Sequence, residues 1–202
     1  MKMPSLKKTA MPLLLAVPFV LCVTSVQAAW QLVSERSQLG YTTTKVFPGA
    51  EKSAAENNRF ARLEGEVADD GSASVRVVLD SVNTNVAIRD ERMRKIVFRT
   101  DEFHVAAVSA KVPRSVLEEK GLHQIDLTME VELHGQAKSM TVPVSVVNDG
   151  NRLLVTSMSP VLVDAAEYGL DGGILELTKL AGLMYIPTTV PVSFSLVFEK
   201  QG

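Results

Sequence analysis

Between Ile125 and Leu133 the chain alternates without a fault: Ile125, Leu127, Met129, Val131 and Leu133 are apolar, while Asp126, Thr128, Glu130 and Glu132 are polar. A period of two puts the five apolar side chains on one face of a strand, so this segment needs a dry surface on one side and water on the other. Related patterns recur along the chain. Leu39, Tyr41 and Thr43 alternate near Trp30, Phe60 to Val67 reads as a second strand before the Asp69-Asp70-Gly71 turn, and Ala73 to Asp80 reads as a third. His104 to Val112 makes a fourth. His134-Gly135 turns the chain into Met140, Val142, Val144 and Val146, and Asn148-Asp149-Gly150-Asn151 leads to Leu153 through Met158. Val190, Val192, Phe194, Leu196 and Phe198 form a last strand. Pro143 and Pro191 lack the donor a central strand uses, which predicts bulges or positions facing away from the ladder. Pro48 to Arg59 reads as a loop with a helical turn, Arg114 to Gly121 as a turn or short helix, and Ile174 to Leu183 as helix-like.

About eight strands at hairpin spacing, each with one dry face, predict an all-β fold: a closed antiparallel, eight-stranded barrel with short helices. Two packed sheets are the competing arrangement. A ring of this size is either filled by its own side chains or holds one small ligand. The candidates for lining an apolar channel are Val75, Val77, Leu79, Leu127, Met129, Val131, Leu133, Val142, Val144, Val192, Phe194 and Leu196. The same positions are what a sealed core needs, so periodicity alone leaves both readings open.

Between the third and fourth strands the period changes. From Ser81 to Phe98 no Pro or Gly interrupts the run, Thr84 and Asn85 are good N-caps, and Asp90 and Glu91 suit the positive end of a helix. On helical spacing Val86, Arg89, Met93, Ile96 and Val97 share a face, which points an arginine where the apolar side chains point. A half-buried guanidinium is satisfied either by a carboxylate elsewhere in the fold or, together with Arg92, by a polar or anionic ligand head at the rim of a cavity.

The first residues read as an export signal. Lys2, Lys7 and Lys8 precede an apolar run from Ala10 to Val23, and Val26-Gln27-Ala28 offers small residues for cleavage after Ala28. Residues 29–202 then form one domain, exported to the periplasm, with 18 basic and 23 acidic side chains and no cysteine, so no disulfide forms. A mildly acidic surface argues against nucleic acid, and nothing after residue 28 is long and apolar enough to span a membrane.

Motifs for catalysis are missing. His104, His123 and His134 have no second ligand at metal spacing, and His134, between a strand and a glycine, reads as a turn histidine bonding backbone. There is no G-x-S-x-G elbow, no phosphate-cradling glycine loop and no HExxH, so a metal site, a cofactor and an enzyme are all disfavoured. Asp164, Glu167 and Asp171 around Tyr168 read as solvated loop residues or a partner for Arg89.

Taken in order, Trp30, Phe60 and Gly65, Ser81-Val82-Asn83-Thr84 running into Arg89-Asp90-Glu91-Arg92-Met93, Leu133-His134-Gly135, Ala166-Glu167-Tyr168-Gly169-Leu170 and Val190-Pro191-Val192 resemble the YceI-like periplasmic proteins. The resemblance covers residues 29–202, with 174–183 and the stretch 48–59 as departures. It implies an extended lipocalin-like barrel whose apolar channel binds an isoprenoid lipid of polyprenyl or quinone type, with Arg89 and Arg92 as candidate head-group contacts. The expected function is a periplasmic carrier or reservoir. The rival, from another class, is an envelope stress or interaction module whose filled barrel binds a protein partner.

Overall fold

The computed structural model describes residues 28–49 and 52–201. The expected export signal, Ala28 apart, lies outside the described residues, as do residues 50 and 51 of the expected loop. The strands are β1 (Ala28–Leu32), β2 (Gln38–Val46), β3 (Ser53–Phe60), β4 (Leu63–Ala68), β5 (Ser72–Val78), β6 (Val82–Asn83), β7 (Val105–Lys111), β8 (Gly121–Leu133), β9 (Gln136–Asn148), β10 (Arg152–Ser157), β11 (Val161–Asp164) and β12 (Thr189–Lys200). Three short helices join them: α1 (Ala87–Arg92), α2 (Arg114–Glu118) and α3 (Asp171–Leu180).

Four pairs of segments each act as one bent strand. β1 and β2 are separated by a single 3₁₀ turn, β3 bends into β4, β5 continues through Leu79–Ser81 into β6, and β10 continues into β11. Every neighbour is antiparallel, and the order β1-β4-β5-β7-β8-β9-β10-β12 returns to β1 through Trp30↔Lys200. The result is a closed antiparallel ring of eight strands in simple meander order, which leaves no unpaired edge around the circuit. At one end β2 takes over from β1 beside β12, with Tyr41 opposite Val192, and β3 and β6 extend the wall.

The two ends differ. At the β1 end, α2 buries Val116 against a packed floor that includes Trp30, Val144, Val146 and Leu153. Asn148 fastens that helix, its Nδ2 donating to the carbonyls of Val116 at 2.9 Å and Leu117 at 3.1 Å. The opposite end is covered by α1, by the π-turn Met93–Val97 that follows it, and by α3.

Several expectations change. From Ser53 onward the stretch 48–59 is strand, not loop: β3 pairs with β2 from Gly40↔Arg59 to Val46↔Ser53. Its Ala, Asn and Glu residues have weak strand propensity, and seven paired positions along β2 override it. Phe60 to Val67 is two segments, because the chain bends at Ala61 and Arg62. β11 is four residues long, too short to show a period. The helix expected up to Phe98 keeps α-geometry only from Ala87 to Arg92, and the Phe98 N–H donates to the Met93 carbonyl at 2.8 Å, five residues back. Thr84 and Asn85 do not cap it. Val86 holds the N-cap position in extended conformation and is exposed, so it leaves the apolar face, while the Asp90 carboxylate reaches back to the Thr84 N–H at 2.7 Å. Pro143 behaves as expected. Its carbonyl accepts from the Met158 N–H at 3.0 Å, so its ring nitrogen faces the same side, where β10 has ended.

Candidate functional site

The eight-stranded ring is hollow over much of its length. A cavity of about 290 Å³ runs inside it, reaching from Ala73, Val112 and Phe198 near the α2 end to Lys45, Ile186 and Pro187 at the other. Along β7 and the residue after it, Ala106 to Val112, this is a span of about 20 Å at roughly 3.3 Å per residue. The hollowness has a cause in side-chain size. β4, β5 and β7 contribute Val67, Ala73, Val75, Val77, Ala106, Val108 and Ala110 to the wall. These side chains are short and fill little of the interior, so the middle stays open.

Ten of the twelve expected lining residues stand on this wall: Val75, Val77, Leu79, Leu127, Met129, Val131, Leu133, Val192, Phe194 and Leu196. Val142 and Val144 do not. Both are buried in the packed interior, opposite Leu127 and Ile125, and their short side chains lie off the wall that Leu127 and Met140 form. Sequence reasoning missed Met140, Val155, Val161, Val163, Ile174 and Leu177. Val161-Leu162-Val163 is a short apolar run, which does not say which of its side chains point inward.

The polar members of the wall are confined to one patch at the mouth: Tyr41, Thr43 and Lys45 on β2, Glu56 and Asn58 on β3, Thr84, and Arg89 on α1. Glu56 is its centre. Its carboxylate accepts from Lys45 Nζ at 2.8 Å and from Arg89 Nη1, while Arg89 Nη2 donates to the Thr84 carbonyl at 2.6 Å. Burial pushes the Glu56 carboxyl up, but the two cations together outweigh it and hold the group below the usual carboxylate range. Burial raises the Tyr41 hydroxyl above its ordinary value despite the nearby Arg89, so it remains a neutral donor. The Asp90 carboxylate, held by the Thr84 N–H at 2.7 Å, stands beside them, so two cations and two carboxylates meet at the mouth. Tyr41 OH, Asn58 Oδ1 and Arg89 Nε are buried there without a hydrogen-bond partner.

Arg89 has the carboxylate partner of the first reading, Glu56, and stands at the rim of the cavity. Arg92 is not on the wall. At 100° per residue Met93, four positions after Arg89, takes the inward place, and Arg92 is carried to the flank. The histidines face backbone: His104 Nδ1 lies 2.7 Å from the Thr100 carbonyl, His123 Nε2 lies 2.9 Å from the Glu119 carbonyl, and His134 meets the Tyr168 backbone. Among the described residues no three His, Cys, Asp or Glu side chains converge to hold a metal, and no helix is long and apolar enough to cross a membrane.

A family model described as the YceI-like domain matches residues 30–198. Among solved structures, a polyisoprenoid-binding domain from Saccharophagus degradans implicated in plant cell wall breakdown is 31% identical, with a TM-score of 0.80 over 87% of this chain and 100% of that one. BcnA of Burkholderia cenocepacia shares the fold at 16% identity and a TM-score of 0.61, covering 82% of this chain and 98% of its own. A YceI protein of Campylobacter jejuni does so at 10% identity and 0.51, covering 72% and 85%. No curated protein matches the chain.

Proposed function

We propose that this chain, which belongs to the YceI-like family, is a periplasmic carrier or reservoir that holds the tail of an isoprenoid lipid, polyprenyl or quinone, inside its ring. The observation that carries the reading is the lumen itself. It is a slender, aliphatic tunnel with its charge gathered at one end, which suits a flexible hydrocarbon with a polar head better than a rigid ring system. At about 290 Å³ it stands at the low end of the roughly 300–1,000 Å³ of small-molecule sites, so it takes a narrow ligand. Each methylene withdrawn from water contributes about 0.8 kcal/mol, and ten would supply about 8 kcal/mol before ordering costs, without any specific hydrogen bond. The polyisoprenoid-binding description of the Saccharophagus domain supports the same ligand class. The unpaired donors at Arg89 and Tyr41 suit the head. The lysine-rich, apolar residues before Ala28 support export. The role is binding, not catalysis.

The test is native mass spectrometry of the protein purified without detergent, followed by lipid extraction. A lipid-sized adduct is expected. Met129→Asp places a charge in the tunnel and expels it, as a charge at Val131 would. Ala110→Leu narrows the tunnel from the neighbouring strand, beside Met129, without burying a charge, so it lowers occupancy in a protein that still folds. A clean, ligand-free mass in every preparation would overturn the holding role and leave the interaction module.

A further inference from the structure

We propose that the mouth end of the ring, where α1 and α3 lie, docks on a phospholipid bilayer, so that a lipid tail passes between membrane and lumen without crossing water. This rests on the lipid-holding reading above and adds where the lipid enters. Phe47, Ile88, Leu175, Leu180, Met184 and Tyr185 are large apolar residues that stand 38–55% exposed. All six belong to segments that build the mouth. The Val46 N–H donates to the Tyr185 carbonyl at 3.1 Å and the Met184 N–H to the Val46 carbonyl at 2.8 Å, which sets Phe47 beside Met184 and Tyr185. The next two residues, Ile186 and Pro187, are already on the lumen wall. Ile88 precedes Arg89 and Leu175 follows Ile174, both of them also wall residues. Apolar surface outside the fold thus runs into apolar surface inside it at the mouth.

Soluble proteins seldom expose apolar residues in such a group unless something covers them. Charge says what kind of surface fits. Residues 45–49, 52–56, 86–95 and 171–185 carry seven basic and five acidic side chains. Such a balanced rim is not a polybasic patch that needs anionic lipid, and it suits insertion of apolar side chains into the interface of any fluid bilayer. A second apolar row, Leu122, Val147 and Leu154, crosses β8, β9 and β10 on the outer face. It lies near the closed end, away from the mouth, and provides an internal control.

The experiment is flotation of the delipidated protein with vesicles of phosphatidylcholine containing a minor share of phosphatidylglycerol and no isoprenoid. The protein is expected to float, and to do so equally at low and high salt. Ile88→Asp and Met184→Asp each lower the bound fraction about tenfold or more, a change of one decade in the binding constant, whereas Leu122→Asp leaves it unchanged. Thermal midpoints of the three variants check that these exposed positions leave the fold intact. Failure of the wild type to float, loss of flotation in high salt, or an equal loss in Leu122→Asp would each overturn the docking surface, the first in favour of a protein partner at the rim. A protein that carries isoprenoid from the cell but does not float loses only this inference. One that floats but never carries lipid loses only the holding role.

Discussion

His134 shows how one residue can carry two local demands. It forms the β8–β9 turn with Gly135, both in left-handed conformation at φ 53° and 75°, which a two-residue hairpin of the type I′ kind requires. Its ring packs 4.0 Å from the Phe103 ring, and Nε2 is buried without a partner. Burial and the nearby Arg99 push its pKa down, against smaller opposing effects of the Tyr168 backbone and Glu102. The folded state thus prefers the neutral ring. As pH falls below the ordinary value of about 6.5, the unfolded chain takes up the proton before the folded one does. The resulting stability is complete above that value and is lost as pH falls through the depressed folded pKa. His134→Asn tolerates the left-handed turn but has nothing to titrate. Its urea midpoint should drop less than that of the wild type between neutral and mildly acid pH. Parallel curves for the two proteins would show that the ring titrates as if free.

At the level of elements, the cover over the mouth depends on close approach. A Cβ on Gly173 of α3 would lie 2.5 Å from the Ile96 carbonyl oxygen and 2.9 Å from Val97 Cα, both in the π-turn. Neither is the mobile end of a side chain, so Gly173→Ala must separate α3 from the π-turn, at a cost of about 1–3 kcal/mol. The expected result is faster amide exchange in residues 165–183 and quicker release of bound lipid, with exchange in β8 and β9 unaltered. Unchanged exchange in α3 would mean that the two elements are not held together there. The same region explains what the chain revealed before its structure was known. β8 is plain because its inward face is wholly apolar from Ile125 to Leu133. β3 was hidden because its inward residues at the mouth are Glu56 and Asn58, polar side chains that break the alternation where a ligand head would lie. Arg89 stood out as a charge on an apolar face, but its partner Glu56 lay in a stretch that read as loop. The π-turn adds a residue to the helical circuit with no compositional sign.

On the scale of the whole molecule, the ring divides into a packed end and a hollow end, and alternation reads alike in both. Whether an inward valine seals or lines depends on what faces it across the ring, which is why Val144 and Val131 could not be told apart by spacing. The packed end contains Val144, Val116 and Leu153, three of the five largest fully buried side chains. That end is complete without a ligand, so the emptied protein should stay folded and the lipid should act as an added stabiliser. A ligand that binds only the folded state at 100 times its dissociation constant contributes about 2.7 kcal/mol. For a chain of this length each kcal/mol moves the midpoint by roughly 2–4 °C, so refilling should raise it by about 5–10 °C. The wild type, delipidated and then titrated with a polyprenyl alcohol in calorimetry, should show that rise, and Ala110→Leu should show little of it. An equal rise in the narrowed variant would place the lipid outside the ring, whereas collapse of the emptied wild type would mean that the packed end cannot support the fold alone.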